Sequence, residues 1–172
     1  MTRRSISKRV AVVTAAALVA VGTFAAGGAV AGPEKSAKPA KSAKPTKKQV
    51  AALFDEWNAA LKTQDPEKVA DLYWDDAVLL PTLSNQVRAD RESRIDYFEH
   101  FLANKPVGKK IETHINVLDS NSVLDAGVYE FALTDHDTGK KSAAKARYTY
   151  EWEKRDGEWK IVNHHSSLMP EG

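Results

Sequence analysis

The hydrophobic period of this chain changes once, at Pro106, and that change limits the fold more than any other feature. Before it, apolar residues recur at helical spacing; after it they alternate. Val50, Phe54, Trp57 and Leu61 form one stripe over 47–63, with Leu53 and Ala60 beside it. Asp65-Pro66 offers a capping acid followed by proline at the first helical position. It predicts a short helix carrying Val69, Leu72 and Tyr73. AVLLP at 77–81 predicts a buried strand stopped by Pro81, and Asp90 predicts the cap of a third helix over 91–103. Ile95, Phe98 and Leu102 make that helix's stripe, with Tyr97 and Phe101 alongside. Beyond Pro106, residues 110–118, 122–134, 143–154 and 158–168 predict four strands in a meander. Asp156-Gly157 between two alternating runs is a type I′ hairpin signal. Helices first and strands afterwards predict an α+β fold, with three N-terminal helices on one face of a curved antiparallel sheet.

The residues up to 31, and the stretch from 32 to 46 that follows them, have a different character. Arg3, Arg4, Lys8 and Arg9 precede an uncharged run from Val10 to Ala31, which ends in Ala29-Val30-Ala31. These are the three parts of a bacterial export signal, and cleavage is expected near Ala31. An uncleaved anchor is the other reading of so long an uncharged stretch. Residues 32–46 contain KSAKPA and KSAKPT, a repeat in which lysine repulsion and proline favour an extended, disordered tether. The tether is read as a spacer or as an arm making weak contact with anionic cell-envelope polymers. The expected organisation is therefore a signal peptide over 1–31, a tether over 32–46 and one folded domain over 47–172, secreted or extracytoplasmic.

Charge divides at the same place. Residues 1–48 carry ten Lys/Arg and one acid, whereas 49–172 carry fifteen Lys/Arg and twenty-two acids. An acidic body lacks the concentrated positive face that phosphate contacts need, so no nucleic-acid partner is expected. The chain has no cysteine, which excludes disulfides, thiolate nucleophiles and cysteine-ligated zinc.

Simple hairpins give a first assignment of faces. The Asp156-Gly157 turn pairs Trp152 with Ile161, Tyr150 with Asn163 and Tyr148 with His165. A turn at Ser120-Asn121 pairs His114 with Gly127, Asn116 with Asp125 and Glu112 with Tyr129. The reverse of that hairpin is apolar: Ile111, Ile115, Val117, Leu124, Ala126 and Val128. Either this oily face packs on the helices, or it meets another subunit while the polar-aromatic face lines a pocket. Bulges in a bent sheet reset such registers.

WNAALKTQDPEKVADLYWDDAVLLPTLSNQVR at 57–88, DYFEHFL at 96–102 and ARYTYEWEKRDGEWKIVNHHSSLMP at 146–170 resemble the SnoaL-like, nuclear transport factor two-like superfamily. More narrowly, they resemble the bacterial SgcJ/EcaC relatives of the calcium/calmodulin-dependent protein kinase II association domain. The resemblance implies a cystatin-like cone, a pocket between sheet and helices, and assembly through the sheet into homo-oligomers, at least dimers. It does not bring kinase activity, since these residues include neither a kinase domain nor a calmodulin segment. In the kinase domain the pocket is lined by arginines, which fall at about Tyr129, Tyr150 and Ser166 here; none is arginine in this chain. Arg88, Arg94 and Arg147 are candidates to replace that charge. The resemblance also sets Tyr150 and Ser166 in one pocket, which requires a bulge near His164-His165.

The expected function is an exported, self-associating domain that binds an unidentified small molecule. Its candidate ligand-binding residues are Arg88, Arg94 and Tyr97, then His114, Tyr129 and Arg147, then Tyr150, His165 and Ser166. The alternative is a small-molecule isomerase, dehydratase or hydrolase of the ketosteroid-isomerase-like type. For that reading Asp125 and His165 are the candidate bases. Asp125 shares a strand face with Tyr129, so an acid and a phenol can meet one substrate. His164 and His165 point to opposite faces and cannot chelate one metal together, so no metal is expected. No glycine-rich dinucleotide loop occurs, and no cofactor is expected.

Overall fold

Three side-chain caps set the helices. Thr46 and Gln49 form a capping box at the start of α1 (Lys47–Lys62). The Asp65 carboxylate accepts the amides of Glu67 and Lys68 ahead of α2 (Pro66–Ala70), and Asp90 caps α3 (Arg91–Ala103). A computed structural model describes residues 43–82 and 84–170; the expected signal peptide and the tether up to residue 42 lie outside the described residues. Among the described residues no helix is long and apolar enough to cross a membrane.

The strands are β1 (Tyr73–Leu80), β2 (Val107–Val117), β3 (Ser122–Thr134), β4 (Lys141–Arg155) and β5 (Glu158–Leu168). They form one curved, unclosed sheet in the order β1-β5-β4-β3-β2, with β1 parallel to β5 and the other pairs antiparallel. The helices cover its inner face, as α+β packing requires. Positive φ at both Asp156 (51°) and Gly157 (94°) gives the β4–β5 hairpin the turn its sequence signals.

Two expectations on the helices change. Tyr73 opens β1 instead of ending α2. The inward stripe of α3 begins with Arg94, which is fully buried, while Ile95 is only half-buried. The Arg94 guanidinium donates to the carbonyls of Ala77 (2.7 Å), Trp74 (3.1 Å) and Asp75 (3.3 Å), and so fastens α3 to β1.

Two bulges and one turn reset the faces of the sheet. The turn between β2 and β3 spans 118–121, so Val117 pairs with Val123 and Ile115 with Asp125. This is one residue away from the symmetric hairpin. His114 and Asn116 consequently face outward with Leu124 and Ala126, while Ile115 and Val117 turn inward with Asp125. The continuous oily reverse face therefore does not exist: Ile115 and Val117 face in, while Ile111 is exposed and the β3 residues face out. Ile111 is then unpaired, so that Lys110 joins Tyr129 on the inner face. Near this bulge the Glu112 carbonyl comes so close to Gly127 that a Cβ there would lie 2.0 Å from its oxygen. Only glycine admits that approach.

In β5, Val162 is unpaired between Ile161, opposite Trp152, and Asn163, opposite Glu151. His164 then lies opposite Tyr150 and Ser166 opposite Tyr148. The inner face carries Trp152, Tyr150, Tyr148, His164 and Ser166, and the outer face carries Arg147, Thr149 and His165.

The close approach at Gly127 yields a first test. Gly127→Ala should lower the unfolding free energy by about 2–3 kcal/mol, because backbone on the facing strand must move. Urea denaturation followed by tryptophan fluorescence reads this as a lowered midpoint.

Candidate functional site

The aromatic residues of α1, α3 and the inner sheet face pack as one layer. Phe54 and Trp57 from α1 meet Tyr129, Phe131, Tyr148 and Tyr150, with ring centroids about 5–6.5 Å apart. The layer leaves a partly open hollow of about 50 Å³ between α3 and the ends of β3, β4 and β5. Tyr97, Phe98 and Phe101 form its helical wall; Tyr129, Phe131, His164 and Ser166 line its sheet side. Leu79, Pro81 and Thr82 close it from β1, while Leu133, Ala144 and the exposed Leu168 surround it toward the strand ends.

Two hydrogen-bonded chains border the hollow. In the first, Tyr129 donates to Ser166 Oγ at 2.5 Å, and Ser166 is bonded in turn to the Thr82 hydroxyl. Burial pushes the Tyr129 phenol up, so it stays protonated and donating. In the second, Trp57 Nε1–H donates to the Tyr73 oxygen (3.1 Å), and Tyr73 stands 2.9 Å from His164 Nδ1. The indole is a donor only, so Tyr73 accepts there; its hydroxyl has no other acceptor among the described residues, so the arrangement that leaves the fewest buried groups unmatched has it donate to Nδ1. In that arrangement His164 carries its hydrogen on Nε2, which has no partner among the described residues. A buried donor left unmatched costs about 1–3 kcal/mol. Burial also pushes the His164 imidazole down, to about 3, with His165 beside it a smaller cause. The ring is neutral at pH 7. Tyr150 stacks on it at 4.0 Å, and its hydroxyl is likewise buried and unpartnered.

The expected site residues separate into three groups. Tyr97, Tyr129 and Ser166 line the hollow, and Tyr150 backs it through the His164 ring. His165, His114 and Arg147 are exposed on the outer sheet face, away from the hollow. The bulge at Val162 sends His165 outward, and the 118–121 turn does the same to His114. Arg94 is spent on backbone carbonyls of the β1 segment. Arg88 donates to Asp96 (2.6 Å) and to the Ser93 carbonyl (3.2 Å). It borders a separate surface depression with His100 and Asn104, adjoining the hollow through Tyr97 and Phe101.

Asp125 is fully buried yet is not among the residues lining the hollow. Lys110 Nζ lies 3.0 Å from Oδ2, and the Tyr148 hydroxyl donates to Oδ1 at 3.0 Å. The Thr113 hydroxyl, 3.1 Å from Tyr148, extends the cluster, and Lys110 also lies over the Phe54 ring. Tyr129 bonds to Ser166 rather than joining Asp125 in a shared site. Asp125 thus has the geometry of a satisfied structural ion pair, and the expected Asp125–Tyr129 pairing is replaced by one with Tyr148.

The calcium/calmodulin dependent protein kinase II association domain family matches residues 46–170. A solved structure from Xanthomonas campestris, assigned to that association domain, is 58% identical. The match covers 77% of this chain and 96% of that one, with a TM-score of 0.72. The chain belongs to the calcium/calmodulin dependent protein kinase II association domain family. A nuclear transport factor 2-like protein from Salmonella enterica shares the fold at 15% identity and a TM-score of 0.62, over 73% of this chain and 92% of that one. A protein from Novosphingobium aromaticivorans assigned as a scytalone dehydratase does so at 13% and 0.64, over 72% and 83%. No curated protein matches the chain.

Within this association domain, three interior residues escaped the sequence reading: His164, Thr82 and Lys110. His164 was legible in part. It stands two residues from Ser166, so strand periodicity puts it on whichever face Ser166 takes and puts His165 on the other. Nothing in the sequence points to Thr82 or to Lys110.

Removing the Lys110 ammonium leaves a buried carboxylate unpaired, so Lys110→Met should destabilise the domain by about 3–5 kcal/mol in chemical denaturation. Acid affects a different group. Between the ordinary histidine value of 6.5 and about 3, the unfolded chain takes up a proton at residue 164 that the folded protein does not. The unfolded state binds more protons there, so stability rises with pH in that window and falls on acidification. The slope from this residue approaches about 1.4 kcal/mol per pH unit. Urea titrations between about pH 6 and 4 should show this slope, and His164→Gln should remove it.

Proposed function

We propose that this association domain is an exported, self-associating module that binds a small molecule in the hollow beneath α3 and has no kinase activity of its own. The observation that carries the reading is the lining of the hollow. It is an aromatic wall with a few polar groups, one of them the unmatched His164 Nε2–H. Ligand sites commonly have this composition. Nothing comparable supports a catalytic role: no carboxylate lines the hollow, and Asp125 is held by Lys110 and Tyr148. The His164 imidazole is a poor proton acceptor, since burial weakens it and Nδ1 already accepts from Tyr73.

Self-association rests on membership of a family named for association. The outer sheet face is a suitable surface, because Leu124, Ala126 and Val128 are only half-buried there in the single chain. Export rests on the N-terminal sequence. Arg3 to Arg9, the uncharged run and Ala29-Val30-Ala31 would deliver the domain across the membrane, with KSAKPA-KSAKPT as a spacer along the anionic envelope.

Native mass spectrometry of the protein purified from its host tests all three parts together. The expected result is homo-oligomers carrying a co-purified small molecule, with each chain beginning near Gly32. Empty monomers would sink the binding and association reading, and an intact Met1 terminus the cleavage.

A further inference from the structure

We propose that the hollow selects an uncharged, slender, mainly apolar molecule that offers one hydrogen-bond acceptor, a carbonyl or ether oxygen, to the Nε2–H of His164. This deepens the binding reading above and rests on it. Three observations carry it. First, among the described residues the lining contains no Lys, Arg, Asp or Glu. The buried Arg94 and Asp125 are committed to the β1 carbonyls and to Lys110, and Arg88, beyond Tyr97, is committed to Asp96. A carboxylate or ammonium entering the hollow would lose its hydration and gain no counter-charge.

Second, among the described residues the fully buried polar atoms of the lining are matched with one exception. Tyr129, Ser166 and Thr82 bond one another, whereas His164 Nε2 is the one buried polar atom among the lining residues without a partner. The Trp57–Tyr73–His164 chain sets that atom as a donor, so the complementary ligand atom is an acceptor. Burial of the imidazole keeps it a neutral donor rather than a cation that would draw an anion. Third, the free space is small. An engineered apolar cavity of about 150 Å³ holds a benzene ring. Here about 50 Å³ admits a narrow chain, with the apolar mouth at Leu133, Ala144 and Leu168 available to its tail.

The test uses protein expressed from the complete chain, with pentan-2-one, pentanoate and pentylammonium as probes of matched length. Nitrogen-15 NMR of the histidine rings at neutral pH reads the tautomer of His164 and its response to each probe. The expected outcome is an Nε2–H tautomer whose signal shifts with pentan-2-one, and binding of the two charged probes weaker by about tenfold or more. His164→Phe keeps an aromatic ring but deletes the donor, and should weaken pentan-2-one by about tenfold. Pentanoate binding as tight as the ketone, or an Nδ1–H tautomer, overturns the selectivity and leaves the binding reading standing. Failure of all three probes to bind removes the binding reading and this inference together. The tautomer and the charge preference are measured on the unaltered protein, so both remain decisive if the variant does not fold.

Discussion

One unpaired residue, Val162, governs what the interior of this cone contains. A strand alternates its side chains, so a single extra residue in β5 exchanges the faces of everything beyond it. Because Val162 has no partner, Ile161 and His164 both face inward although they are three apart. Without it, the regular hairpin would bury Asn163 and His165 and turn His164 and Ser166 to solvent. The interior would then lose the acceptor for the Tyr73 proton and the partner of Tyr129. Tyr73, Tyr129 and Ser166 are buried, so each lost bond would leave a polar group unmatched in an apolar setting, at about 1–3 kcal/mol apiece. The bulge and the hydrogen-bonded chains therefore select each other.

The aromatic layer separates two polar systems of different character. Around α1 and β2 lies the Asp125–Lys110–Tyr148–Thr113 cluster, which holds a full charge pair inside the protein. Its charges are matched, so it fixes the register of β2 on β3 and leaves little to offer a ligand. Around α3 and β5 lie the hydroxyl chain and His164, which are formally neutral and one donor short. Tyr129 and Tyr148 stack at 4.9 Å, and the first belongs to the neutral system while the second belongs to the charged one. The neutral system borders the hollow, whereas the charged one reaches only a surface depression, through Thr113. What the hollow can recognise is therefore decided by hydrogen bonding and shape, and little by charge.

The legible parts of this architecture are the local ones. Thr46, Asp65 and Asp90 cap helices within a few residues of themselves, and Asp156-Gly157 closes its own hairpin, so each signal is complete in a short stretch. The α+β class, the third helix and the hairpin partners followed from such stretches. Register did not. The 118–121 turn and the unpaired Ile111 and Val162 depend on how a curved sheet fits over α1 and α3, which no window of alternating residues encodes. That is why the inward histidine was misplaced by one position and Asp125 was paired with the wrong neighbours. Arg94 escaped for a related reason. A charged residue at a helical position reads as solvent-facing, yet three carbonyls of the β1 segment were waiting for its guanidinium.

Family membership sharpens the chemistry of this chain by contrast. The resemblance places the kinase domain's pocket arginines at Tyr129, Tyr150 and Ser166, and all three of these positions are buried here without formal charge. Two of them line the hollow, and the third stacks on the histidine that does. A pocket that has exchanged guanidinium groups for phenols and a hydroxyl no longer compensates a carboxylate. The neighbour named for dehydration shares the cone at 13% identity, which carries its fold and not its reaction. Proton abstraction in such a cone requires a base aimed at the substrate with its acceptor atom free. The carboxylate nearest that role is engaged by an ammonium and a phenol, and the imidazole presents its hydrogen rather than its lone pair. Recognition of a neutral acceptor asks for nothing beyond that hydrogen, which is why it is the chemistry we propose for these residues.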